Sequence, residues 1–115
     1  MDINDIVSTD YESLPADERV ASLAGTFEDP TVAGVVVLRD GTFAGVVTRR
    51  QLAASRVSPD QKLDSLVWHV PRVPPDADVR EVAQLMIDSD SRVLPVFEGE
   101  RLVGVVREGD LLREV

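Results

Sequence analysis

The apolar positions of this chain follow one pattern, and the pattern occurs twice. A segment of extended character runs from Tyr11 to Pro15 and again from Val70 to Pro74. Helical spacing follows, with Val20, Leu23, Ala24 and Phe27 in the first half and Val79, Val82, Ala83, Met86 and Ile87 in the second. These i, i+3, i+4, i+7 stripes each predict a helix with one buried face. Asp17 and Asp76 precede the stripes and are the expected N-caps, because a carboxylate there accepts from unpaired helix N–H groups. Short β-branched runs come next, Val35 to Leu38 and Val93 to Phe97. Turns at Asp40-Gly41 and Glu98-Gly99 lead into Phe43 to Thr48 and Leu102 to Arg107, which predicts two hairpins. Closing helices are expected over Arg49 to Arg56 and from Glu108 to about Val115. The predicted class is α+β, with the order β-α-β-β-α occurring twice.

The two halves align without a gap. A shift of 59 residues carries Val20 onto Val79, Ala24 onto Ala83, Val37 onto Val96 and Leu52 onto Leu111. It also pairs Asp5 with Asp64, and Gly45-Val46-Val47 with Gly104-Val105-Val106. The expected organisation is a first repeat over 1–56, a linker over 57–62 in which Pro59 breaks the preceding helix, and a second repeat over 63–115. A half-chain of this size does not easily bury a core alone, so two copies are expected to stack across a pseudo-twofold seam whose clefts can hold a ligand. The second closing helix reaches the last residue without a cap, which points to a longer parent chain.

Composition narrows the function classes. The 115 residues are 43% apolar, enough for a core, and they contain no cysteine, which excludes disulfides, thiol nucleophiles and thiolate-bound metals. No apolar run approaches membrane-spanning length and Met1-Asp2-Ile3-Asn4-Asp5 lacks the features of a secretory signal, so a cytoplasmic protein is expected. The formal net charge is -9, and Lys62 is the only lysine among 12 basic residues. An acidic surface repels phosphate backbones and anionic lipids, so neither nucleic acid nor membrane is an expected partner. The Asp-rich, Lys-poor balance resembles that of proteins from salt-loving organisms. No nucleophile–base–orienter set, phosphate-cradling glycine loop or paired-carboxylate motif is present, so an enzyme is not expected. His69 is the only histidine, which leaves no ligand set for zinc. Gly45 and Gly104 interrupt the final strands and mark places where a backbone or ligand can approach closely.

The passage from each last strand into each last helix resembles the CBS domain, named after cystathionine beta-synthase, in its tandem form, the Bateman module. That family favours Gly, two β-branched residues, Thr or Ser, two variable positions, Asp, then Ile or Leu. This chain has Gly45-Val46-Val47-Thr48-Arg49-Arg50-Gln51-Leu52 and Gly104-Val105-Val106-Arg107-Glu108-Gly109-Asp110-Leu111. Leu94-Pro95-Val96 before a glycine turn matches the family's middle strand. The resemblance covers essentially the whole chain. It implies two CBS repeats packed with pseudo-twofold symmetry through their small sheets. It also implies a regulatory module that binds AMP, ADP, ATP or S-adenosylmethionine between the repeats, needs no cofactor, pairs into a homodimer and signals to a fused or separate effector domain. The alternative is a structural dimerisation module with degenerate clefts.

The resemblance also implies roles for particular residues. The motif Asp accepts from ribose hydroxyls, helped by Thr or Ser; apolar residues flank the adenine; basic residues meet the phosphates. Asp110 fits the first role, since one carboxylate can accept from two vicinal hydroxyls and the positive end of a helix favours the anion. It can equally be a first-turn carboxylate that only stabilises the helix. Neither copy carries the full pair: the first has Thr48 but Gln51, and the second has Asp110 but Arg107. At most one nucleotide site is therefore expected, built around Asp110, with the Gln51 site degenerate or used differently. Arg107 suits a phosphate, or pairs with Glu108 or another acidic neighbour. Arg92 is a phosphate-facing residue or a solvated surface arginine. Arg49 and Arg50 bind an anion at the other helix start or offset nearby carboxylates. Trp68, His69 and Val70 lead into the second repeat, where Trp68 stacks on a base or closes a core or an interface. Val35, Leu94, Pro95 and Val105 supply the remaining apolar and strand positions.

Overall fold

A computed structural model describes residues 1–54, 56–67 and 69–113. Two compact units form: Glu12–His69, and Met1–Tyr11 together with Val70–Val115. The first eleven residues thus pack with the second repeat, and the stretch between the repeats packs with the first. The mixed α+β class with two small sheets agrees with the expectation.

In the Glu12–His69 unit, β1 (Ser13–Pro15) runs parallel to β2 (Gly34–Arg39), which pairs antiparallel with β3 (Thr42–Thr48). The hairpin turn is Asp40-Gly41, both with positive φ (53° and 78°). That pattern belongs to a type I′ turn, whose twist matches the flanking strands. Alternate residues Val35, Val37 and Val47 join Ala16, Val20, Leu23 and Leu63 in the core. Two helices complete the unit, α1 (Ala21–Thr26) and α2 (Arg49–Ala54).

The other unit carries α3 (Val79–Ser89), the hairpin β4 (Val93–Glu98) and β5 (Arg101–Arg107), and α4 (Glu108–Leu112). The counterpart of β1 is reduced to one parallel bridge, Val73 to Val96. In the first repeat the Ala16 N–H donates to Leu38 and the Val36 N–H to Glu12; the second repeat has Pro75 and Pro95 at these two donor positions, and proline has no N–H. The core holds Ile3, Val73, Val79, Val82, Met86, Leu94, Val96, Val106 and Leu111. Ile87, expected on the buried stripe, is 72% exposed. It sits on the edge of the stripe, next to the buried Met86. Both hairpins carry a register irregularity at the same place, Val37/Leu38 and Val96/Phe97, as a duplication requires.

The helix starts correct the sequence reading. Asp78, not Asp76, caps α3, its carboxylate accepting from the Arg80 N–H at 3.1 Å. Residues Pro74 to Ala77 are occupied by a turn, closed by the Ala77 N–H on the Pro74 carbonyl. Burial works against the Asp78 anion, but the Arg80 N–H and the N-terminal ammonium at 3.4 Å outweigh it and hold its carboxyl below the ordinary value. In the first repeat this position is Arg19, which cannot accept. Asp17 is not a cap either, and α1 starts later and spans 6 residues against 11 for α3. Its first N–H groups go instead to the interrepeat stretch, Val20 to the Gln61 carbonyl and Ala21 to that of Pro59.

The leading segments dock in parallel ways. The Leu63 N–H donates to the Glu18 carbonyl, and the Ile3 N–H donates to Ala77. Each segment then makes a short 3-10 turn, Asn4–Ile6 or Leu63–Ser65, and Ile3 and Leu63 are both fully buried. The structural equivalents here are Ile3 and Leu63, one residue off the register that pairs Asp5 with Asp64. The closing helices are described over Arg49–Ala54 and Glu108–Leu112; Ser55, Glu114 and Val115, which the expected helices included, lie outside the described residues.

Candidate functional site

The strand-to-helix passages place the two motif copies, and the copies differ. In the first, the Thr48 N–H donates to Gln51 Oε1 at 2.8 Å and the Gln51 N–H donates to Thr48 Oγ1 at 3.1 Å. This is a reciprocal capping box, which accounts for Gln at the position where the family pattern has Asp. Thr48 is buried, and Gln51 Nε2 is buried without a hydrogen-bond partner. Thr48→Ala is expected to lower the unfolding free energy by about 1 kcal/mol. Urea denaturation checks this, with Gln51→Glu, which keeps the box, showing the smaller effect.

Arg49 engages backbone carbonyls. Its guanidinium donates to the carbonyls of Phe27 and Asp29 at 2.9 Å and of Val32 at 3.0 Å, and lies 4.8 Å from the Phe27 ring centroid. It therefore ties down the loop between α1 and β2. In that loop the Thr31 hydroxyl and N–H donate to Asp29, and with Arg49 nearby they overcome desolvation and hold its carboxyl below the ordinary value. Arg50 is exposed on α2.

In the second copy Arg107 occupies the N-cap position of α4 and offers no side-chain cap. Its Nη2 donates to the Asp10 carbonyl, and its Nη1 lies 3.9 Å from Asp110 Oδ2. Arg113 Nη1 lies 3.7 Å from the other oxygen, Oδ1. Asp110 thus sits between two guanidinium groups, its side chain 23% exposed. Glu108 faces Arg92 at 3.9 Å rather than Arg107. A pocket of about 400 Å³ opens here, lined by Asp5, Ile6, Val7, Ser8, Arg107, Asp110 and Arg113.

Of the residues selected from sequence, the structure brings together Asp110 and Arg107. Arg92 is exposed at the start of β4 and reaches Glu108. Val35 and Leu94 are fully buried in the cores of their own units, and Pro95 is buried with its carbonyl accepting from the Val73 N–H. Val105 is 1% exposed, and both its backbone groups pair with Ser8. Val70 packs against the second-repeat core and His69 is exposed. Trp68 lies outside the described residues. Sequence reasoning missed Arg113 and the wall formed by Asp5 to Ser8. One signal was present: a Cβ on Gly104 would lie 2.5 Å from the Ser8 carbonyl oxygen, so this glycine marks where the N-terminal segment crosses β5.

A second pocket, of about 660 Å³, lies at the turn end of β2 and β3, with Pro15, Asp17, Arg39, Lys62 and Asp64 among its walls. It holds none of the sequence-selected residues. Among the described residues no cluster of His, Asp and Glu is arranged to hold a metal ion, and no helix is long and apolar enough to cross a membrane.

Comparison with known proteins agrees with this anatomy. The CBS domain family matches residues 3–58 and 66–115. The uncharacterized protein YlbB of Bacillus subtilis is 33% identical over 95% of this chain and 78% of its own length. A conserved CBS domain protein of unknown function from Thermoplasma acidophilum superposes with a TM-score of 0.89 at 21% identity, over 100% of this chain and 69% of that one. The cytosolic domain of the Mg2+ channel MgtE, solved in complex with ATP, has a TM-score of 0.74 at 28% identity, over 96% of this chain and 47% of that one. The chain belongs to the CBS domain family and is a tandem CBS pair, a regulatory module.

Proposed function

We propose that this CBS pair senses an adenosine-containing ligand, AMP, ADP, ATP or S-adenosylmethionine, and passes its occupancy to a fused domain or partner. The observation that carries the reading is the pocket in which Asp110 meets Arg107 and Arg113. A ribose offers two vicinal hydroxyl donors, and the Asp110 carboxylate can accept both. The flanking guanidinium groups suit phosphate geometry. Asp110 has no hydrogen bond to either arginine, both lying beyond 3.5 Å, so its lone pairs toward a ribose are not taken by them. The ATP complex of the MgtE cytosolic domain supports the ligand class.

A thermal-shift screen with AMP, ADP, ATP, S-adenosylmethionine and NAD, at low and high KCl, tests the reading. A ligand at one hundred times its Kd adds about 2.7 kcal/mol, a rise in Tm on the order of ten degrees for a chain of this size. Asp110→Ala is expected to abolish that rise. No shift from any nucleotide, together with a stable dimer in solution, would favour the second reading, a structural dimerisation module. Two observations favour that alternative: Thr48 and Gln51 engage each other, and Ile87 and Leu112 are exposed at 72% and 65%.

A further inference from the structure

Thr48 and Arg107 hold the same position in the two repeats and do different things. Thr48 caps α2. Arg107 caps nothing, and its side chain reaches the N-terminal segment, where Nη2 donates to the Asp10 carbonyl. Ser8 Oγ also donates to that carbonyl, at 3.3 Å. Beside it the Ser8 N–H and carbonyl pair with the carbonyl and N–H of Val105, at 2.8 and 2.9 Å. The other end of the segment is anchored by the buried Ile3, whose N–H donates to Ala77. Between these anchors Asp5 to Ser8 wall the pocket that Asp110 faces. One guanidinium therefore forms an ion pair with the pocket carboxylate at 3.9 Å and donates a hydrogen bond to the Asp10 carbonyl that ties the segment down.

We propose that residues 5–10 form a strap whose docking on β5 is coupled to the Asp110 pocket through Arg107, which acts as a latch. Asp110 positions the guanidinium, and the guanidinium holds Asp10. A group that engages Asp110, or draws Arg107 toward itself, changes how firmly the strap is held, by no more than its differential affinity for the two states. The ligand of such a switch rests on the reading above, whereas the latch belongs to the ligand-free protein. The strap leads through Tyr11 into Glu12, whose carbonyl accepts from the Val36 N–H of β2, so Asp10 is three residues from the start of β1.

Amide hydrogen exchange on the ligand-free full chain, read residue by residue by NMR, tests the latch. Arg107→Thr, which installs the residue of the first repeat, is expected to speed exchange at Ser8 and Val105 about three- to tenfold through local opening. The amides of α3 should be unaffected, reporting an intact fold. Asp110→Asn is expected to give a smaller acceleration at the same amides, and none beyond that of Arg107→Thr when the two are combined. Unchanged exchange in Arg107→Thr overturns the latch, and additive effects in the double variant overturn its coupling to the pocket. If the exchange pattern holds while no nucleotide raises Tm, the ligand reading falls and the latch stands.

Discussion

Ile3→Ala is expected to lower the unfolding free energy by about 3 kcal/mol, although the residue is third from the N-terminus. Terminal residues are ordinarily tolerant because they are tied to little. Ile3 is different: it is fully buried among Val73, Val79, Leu94 and Val106 of the second repeat. Removing its side chain beyond Cβ forfeits apolar burial and leaves a cavity that the two-stranded sheet and α3 cannot collapse without moving. The neighbouring backbone bonds, Ile3 N–H to Ala77 and Val79 N–H to Met1, then lose the anchor that holds them. Urea denaturation with both variants and wild type checks this, with Ile87→Ala as the control. Ile87 is of the same residue type but 72% exposed, and its truncation should change stability by less than about 0.5 kcal/mol. Equal, small effects in both variants would mean that the N-terminal segment is not part of the second-repeat core.

Gly104→Ala is the second large effect, expected to cost about 1–3 kcal/mol because the new methyl group meets backbone rather than a movable side chain. Its Cβ would lie 2.5 Å from the Ser8 carbonyl oxygen and 2.8 Å from Val7 Cγ1. Either β5 shifts against β4 or the strap lifts from Val105. Gly109→Ala is the matched comparison, since a Cβ there meets nothing within 4 Å and Gly109 lies inside α4. It should be neutral or stabilising by about 0.5–1 kcal/mol, as glycine costs more conformational entropy than alanine in a helix. Thermal unfolding of the two variants reads the contrast. A Gly104→Ala protein as stable as wild type would show that the N-terminal segment does not cross β5 at this distance.

Much of the local structure was legible because each signal is short-ranged. The Asp40-Gly41 dipeptide predicts a tight hairpin turn, and both residues adopt positive φ. Val79, Val82 and Met86 follow helical spacing and are buried on one face of α3. Gly104 was readable as a place of close approach, and a backbone crosses there. The helix starts were less legible. In sequence Asp76 reads as the cap, but the turn over Pro74 to Ala77 occupies that stretch and the cap falls on Asp78. The one-residue offset of Ile3 from the gapless register was invisible, because a 3-10 turn and one buried side chain impose no periodicity.

In the candidate site, the sequence singled out Asp110 and Arg107 but not their surroundings. Arg113 follows Asp110 by three residues and reads as an ordinary last-turn arginine; only the turn of α4 brings it to within 3.7 Å of the carboxylate. Gln51 read as a weakened ribose contact, whereas its engagement with Thr48 depends on where both backbones lie.

The sequence by itself determined the duplication, the α+β order of elements, the hairpins and the absence of a full Thr–Asp pair in either copy, since all of these follow from residue type and spacing. Tertiary structure decided which unit each leading segment completes. The segment Met1-Asp2-Ile3-Asn4-Asp5 contains Ile3 as its only interior apolar residue, and nothing local says which core that side chain enters. The answer comes from long-range backbone partners at Ala77, Val79 and Val105, and those same partners bring the strap beside Asp110.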